Sequence, residues 1–193
     1  MNVHPQSLPA NDDLAARRVL WRRELLAKRA GMPAAVRAEA DAAIAAALDA
    51  QLSRFEGVLG FYWPIQHEFD ARTTVSAWLA ASPGRRAVLP VVIKRATPLK
   101  FRQWDPSTPM RPAGFGTSVP ACGEWLIPDA LLVPLVGFDR QRYRLGYGGG
   151  YYDRTLAALP RRPDTTGIGY RLCALDSIEP QNYDLQLDRI IVA

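Results

Sequence analysis

The stretch that most constrains the fold is a passage from apolar chain through glycine into helix. Leu131, Leu132, Val133, Leu135 and Val136 leave no polar face between residues 130 and 138, which predicts a buried strand. Pro134 inside it argues against pairing on both sides along its whole length. The chain then meets Gly146, Gly148, Gly149 and Gly150, followed by Tyr151-Tyr-Asp-Arg and by Thr155-Leu-Ala-Ala-Leu, a helix-forming run that Pro160 ends. Strand, glycine loop and helix together aim backbone N–H groups and a helix N-terminus at an anion. Arg144, Arg154, two tyrosines and Asp153 surround this loop. The glycines suit a plain chain reversal equally well. A Walker loop requires a lysine that is absent here. The dinucleotide fingerprint requires Gly-x-Gly-x-x-Gly, whereas this loop reads Gly146-x-Gly148-x-Gly150.

Around that passage, helical and extended patterns alternate. Residues 1–11 are polar, with Pro5 and Pro9, and read as a loose tail. Asp12 or Asp13 can cap a helix reaching to about residue 30. On it Leu14, Trp21 and Leu25 share one face, while Arg18 and Arg22 stand one turn apart with Arg29 roughly aligned beyond them. Such a row is either a solvated basic stripe or a face turned towards a polyanion. A second, alanine-rich helix spans about 33–51. Strands are expected at 57–63, 86–92, 99–104, 165–170 and 189–192, with a helix at 71–81 after Asp70, its cap. This alternation predicts a single α/β domain over residues 12–193, with a largely parallel sheet flanked by helices. In such sheets ligands bind where the chain leaves strand C-termini, which gives Glu68 a functional option beyond the first strand. His67 beside it reads as a surface or polar-network residue. Residues 115–120 can form a pocket wall. Asp188, just before the last apolar run, is a cap or a ligand.

A chain of 193 residues with 48% hydrophobic composition can bury one substantial core. Its 24 Lys+Arg against 19 Asp+Glu give +5, a modest excess that suits an anionic small molecule. No apolar run is long enough for a membrane span, and the N-terminus lacks the regions of a signal peptide. Cys122 and Cys173 form no C-x-x-C pair and read as thiols in a reducing cytoplasm; two histidines do not suggest zinc.

Gly137-Phe-Asp-Arg, followed by Arg144-Leu-Gly-Tyr-Gly-Gly-Gly-Tyr-Tyr-Asp-Arg, resembles the signature of the 5-formyltetrahydrofolate cyclo-ligase family, also called methenyltetrahydrofolate synthetases. The resemblance implies ATP- and magnesium-dependent closure of 5-formyltetrahydrofolate to 5,10-methenyltetrahydrofolate. It implies ATP contacts from Arg18, Arg22, Arg144, Leu145, Gly146, Tyr147, Gly148, Gly149, Gly150, Tyr151 and Tyr152. Folate contacts would come from Trp63, Glu68, Tyr147, Gly148, Gly149, Gly150 and Tyr151, and magnesium would be held by Asp153 and Asp188. Arg144, Tyr151 and Asp153 would be the residues nearest the reacting groups. The chain departs from the family pattern at Arg18, where lysine is more usual, and at Tyr183, where many relatives carry histidine. The partners implied are a folate and ATP, with no nucleic acid or membrane, and a monomer. Two other readings compete: a relative that binds folate or nucleotide without turnover, and an RNA-binding accessory protein that uses the arginine helix. The RNA reading lacks aromatic residues interleaved with the basic ones.

Overall fold

The computed structural model describes residues 10–193. In chain order its elements are helix α1 (Ala10–Ala30), α2 (Ala34–Leu52), strand β1 (Val58–Gly60), α3 (Arg72–Ala80), β2 (Arg86–Val91) and β3 (Lys100–Trp104). There follow β4 (Met110–Pro112), β5 (Ser118–Pro120), β6 (Ala130–Pro134), β7 (Gly137–Phe138), β8 (Arg144–Leu145), α4 (Tyr151–Ala158), β9 (Asp164–Gly169) and β10 (Arg189–Val192). The tail expected over residues 1–11 lies outside the described residues up to residue 9, and its last two positions already belong to α1.

A six-stranded sheet in the order β10-β9-β6-β1-β2-β3 forms the centre, and only the β2–β3 pairing is antiparallel. The α/β class and the largely parallel sheet are as the sequence predicts. Side chains alternate across the sheet. Leu132 packs with Ile44, Leu48 and Leu52 of α2 and with Val75 and Trp78 of α3. Its neighbours Leu131 and Val133 pack on the opposite face with Leu135 and with Leu156 of α4. Buried residues at Ala40, Ile44, Leu48 and Leu52 recur once per turn, which gives α2 its single apolar stripe.

The apolar run 130–138 is not one strand. β6 pairs with β1 only as far as Leu131, while its pairing with β9 runs on to Pro134. The Leu135 amide donates to Ile168 on the β9 side, so the ring nitrogen of Pro134 faces the side where β1 has already ended. The missing donor therefore costs the sheet nothing. One residue later Val136 changes partner and bonds Leu145. Pro90 follows the same logic on β2, since β1 reaches only Val88. From β1 the chain builds outwards to β2 on one side and to β6 on the other. The gap between their C-terminal ends is the switch point at which open α/β sheets bind ligands.

Candidate functional site

At that gap lies a cleft of about 1500 Å³. Its floor is made by the residues leaving the strands, Tyr62 and Trp63 after β1, Val92 after β2 and Pro134 at the end of β6. The β4–β5 hairpin supplies one wall through Phe115, Thr117 and Val119, in the region expected from residues 115–120. Phe115 packs edge-on against Tyr151 with ring centroids 6.3 Å apart.

The opposite wall is the glycine loop. Gly148 and Gly150 hold φ of +91° and +62°, where a side chain would be strained, so the loop can turn sharply into α4 with Gly150 as its N-cap. Gly146 differs: its φ is ordinary and a Cβ there would meet nothing within 4 Å. Neither backbone nor packing explains its glycine, and the space it leaves opens to the cleft. No backbone N–H from Gly146 to Asp153 has a hydrogen-bond partner among the described residues. A row of free amides ending at a helix N-terminus is an anion cradle.

Three arginines of α1 reach the cleft walls, each differently. Arg18 is buried, and every nitrogen of its guanidinium has a partner. Nε donates to Ile178 O at 3.2 Å, Nη2 to Glu179 O at 2.9 Å and to Asp184 Oδ2 at 2.6 Å, and Nη1 to Asp184 Oδ1 at 3.4 Å. Although it lines the cleft, it acts as a strut for residues 178–184. Arg22 donates only Nε, to Gly146 O at 2.7 Å, and neither Nη has a partner among the described residues. Burial and the like charge of Arg18 hold its guanidinium below the ordinary arginine value, an environment that favours an arriving anion. Arg29 is buried to 1% exposure and donates to Gln66 O, Leu135 O and the Tyr147 hydroxyl at 3.0, 2.9 and 2.7 Å.

Tyr147 in turn donates to Glu68 Oε1 at 2.6 Å, and the Ile65 amide donates to Glu68 Oε2 at 2.9 Å. Burial pushes the Glu68 carboxyl above its usual range, opposed by these two hydrogen bonds and the nearby Arg29 charge. Burial, with Glu68 close by, also raises the Tyr152 phenol. Trp63 stacks beneath the Arg72 guanidinium, 4.5 Å from its centroid, and Arg72 bonds Asp70. Asp70 also accepts the Arg72 amide at 3.0 Å, from one position before the N-cap, which is Ala71 and not Asp70 as expected. The exposed His67 side chain does not line the cleft.

Arg144, buried at the root of the loop, pairs with Asp153 at 2.9 Å, lies over the Tyr152 ring and donates to Leu185 O. Arg154 folds back over the Tyr151 ring and bonds Gly149 O. Asp153 Oδ1 also accepts the Leu185 amide at 3.2 Å, while its second oxygen has no partner among the described residues. Asp184 lines the same cleft. Asp188 does not: its Oδ2 accepts the amide and hydroxyl of Thr165 at 2.8 and 2.6 Å, and its Oδ1 lies 3.6 Å from Arg162. Of the two aspartates expected to hold a cation, Asp153 lines this cleft and Asp188 does not. One carboxylate with a free oxygen, completed by phosphate oxygens and water, is a set that magnesium accepts. Among the described residues no group of three or more His, Cys, Asp and Glu side chains forms a closed metal site.

The cleft thus gathers Arg18, Arg22, Trp63, Glu68, Arg144 and the whole run 145–153. Sequence reasoning left out two residues. Arg29 was visible only as the far end of the arginine row. Asp184 lies four positions from Asp188, and no local signal separates the two.

The 5-formyltetrahydrofolate cyclo-ligase family model matches residues 14–193. A 5-formyltetrahydrofolate cyclo-ligase of Mycoplasma pneumoniae is 48% identical over 63 residues, 33% of this chain and 38% of that one. One from Haemophilus influenzae is 34% identical over 100 residues, 49% of this chain and 54% of that one. The alignments thus span about four-tenths to half the length of these two relatives. Among solved structures, a 5,10-methenyltetrahydrofolate synthetase from Mycoplasma pneumoniae superposes with a TM-score of 0.74 at 29% identity, covering 90% of this chain and 97% of that one. The corresponding Aquifex aeolicus protein, at 23% identity and a TM-score of 0.72 over 91% and 89% of the two chains, shares the fold.

Proposed function

This chain belongs to the 5-formyltetrahydrofolate cyclo-ligase family, and from that membership we infer that it converts 5-formyltetrahydrofolate and ATP to 5,10-methenyltetrahydrofolate, ADP and phosphate. The formyl oxygen is a poor leaving group, so it must first take the γ-phosphoryl of ATP. N10 then attacks the formyl carbon, loses its proton, and phosphate departs with the oxygen. The chain supplies little covalent chemistry; it aligns the two substrates and neutralises charge. The amides of Gly146 to Asp153 and the free end of Arg22 bind the anionic tail of ATP, and Gly146 gives it room. Arg144 holds Asp153 in place at the helix start. Asp153, whose second oxygen has no partner among the described residues, would hold magnesium, which supplies positive charge to the phosphate oxygens when bound. Glu68 presents a carboxylate to the donor edge of the folate ring, with Trp63 and Tyr151 offering aromatic faces beside it.

The observation that carries this reading is the unpaired amide row of the glycine loop, facing the Glu68 carboxylate across one cleft. No described helix is long and apolar enough to cross a membrane, and both cysteines are free, in keeping with a cytoplasmic enzyme. The decisive assay follows methenyl absorbance and ADP release with and without ATP and magnesium. One ADP per methenyl product is expected; folate and nucleotide binding without product would reduce the chain to a binding protein.

A further inference from the structure

Arg29 is a cation almost wholly removed from solvent, yet among the described residues no carboxylate touches it. Its counter-charge is Glu68, reached through the Tyr147 hydroxyl, which accepts from Arg29 at 2.7 Å and donates to Glu68 at 2.6 Å. The phenol has one proton. Because Arg29 can only donate, that proton is forced towards Glu68. The other two Arg29 contacts pin the end of β6, at Leu135 O, and the turn before Glu68, at Gln66 O. One side chain of α1 thus sets the separation between the glycine loop and the Glu68 turn.

We propose that Arg29 is a positioning residue for folate: acting through Tyr147, it fixes the orientation of the Glu68 carboxylate in the cleft. This rests on the cyclo-ligase reading and adds to it the residue that governs the folate side. The groups facing Glu68 are Tyr62 after β1, Tyr147 of the loop, Tyr152 of α4 and Arg29 of α1. Of these only Arg29 carries a positive charge, and only Tyr147 donates a side-chain hydrogen bond to the carboxylate. Burial raises the Glu68 carboxyl and the Arg29–Tyr147 pair opposes that rise, so removing either member moves protonation of Glu68 to higher pH. Folate binding would then weaken at a pH where the parent protein still binds well.

The test has two arms. In the free protein, the Glu68 carboxyl is titrated by carbon NMR in the parent, Tyr147→Phe and Arg29→Gln. Both variants are expected to titrate at higher pH than the parent, and unchanged titration overturns the relay whatever the enzyme does. In turnover, Tyr147→Phe and Arg29→Gln each raise the folate KM roughly tenfold, the scale of one hydrogen bond to a charged group. KM for ATP stays unchanged. The double variant is expected to lose no more than the worse single one, because Arg29 acts through Tyr147. Multiplying losses, or equal losses for both substrates, would make Arg29 merely structural. If Arg29→Gln does not fold, Tyr147→Phe alone decides, through its titration and its pH profile of folate KM. A parent protein that forms no methenyl product sinks the cyclo-ligase reading, while the titration arm still reports on the relay.

Discussion

On one side of the cleft, the loop from Gly146 to Asp153 leaves its amides without partners. Beside it, the segment from Ile178 to Asp188 ties most of its amides down. Ile178 donates to Asp139, Gln181 to Asp184, Leu185 to Asp153, Leu187 to Arg142 and Asp188 to Thr165. Each wall holds an aspartate paired with an arginine from outside it, Asp153 with Arg144 and Asp184 with Arg18, so composition does not distinguish them. Saturation does: a polar group whose bonds are complete inside the protein holds the wall up, and one left incomplete is available to a ligand.

The contrast can be broken at several points. Arg18→Met should cost about 3–5 kcal/mol in chemical denaturation, because it leaves Asp184 buried without its partner. A small loss of stability with a large loss of ATP affinity would move Arg18 to the binding side. Gly148→Ala should do the reverse. A Cβ there sits 3.4 Å from Arg22 Cζ at a φ of +91°, so the loop must shift against its ligand. We expect roughly a 100-fold fall in kcat/KM for ATP and about 1 kcal/mol in thermal stability. Steady-state kinetics beside melting curves would separate the two. Glu68→Ala should raise the folate KM about tenfold while sparing ATP; equal losses would argue that the carboxylate only braces the loop through Tyr147.

The smallest effect is expected at Asp188. Asp188→Asn should cost about 1 kcal/mol of stability and leave turnover intact, since its partners are Thr165 and Arg162. Burial pushes its carboxyl up, but the Thr165 hydrogen bonds and the nearby Arg162 and Arg189 pull it further down, below the usual 3.8. A depressed carboxyl stabilises the fold above the unfolded value and loses that contribution as the pH falls through the folded one. The parent should therefore shed this increment in acid, below about pH 4, and Asp188→Asn should not.

Much of this was legible in the chain. The glycine spacing, the α/β alternation and the strand exits near Glu68 depend on local pattern, and each marks a part of the cleft. Pro90 and Pro134 also carried position, because a residue without a donor is tolerated where a neighbouring strand has stopped. Other features depended on distant partners. The 130–138 run looked uniform but splits between β9 and β8, a choice made by pairing rather than composition. Asp184 and Asp188 present the same chemistry four positions apart, and only the fold decides which meets Arg18. The β4–β5 hairpin spans few residues, with breakers at Pro109 and Pro112, so periodicity had little to register.

Helix α1 fastens itself to parts of the chain that lie far along it. Arg29 reaches Leu135 across 106 positions and Arg18 reaches Asp184 across 166. Helix α1, made before the segments on which it docks, is thus among the last of the described elements to find its seat. A growing chain lays down strands well before it owns a working pocket, and a ligand that bridges those late-arriving pieces would act as the clasp that keeps them together.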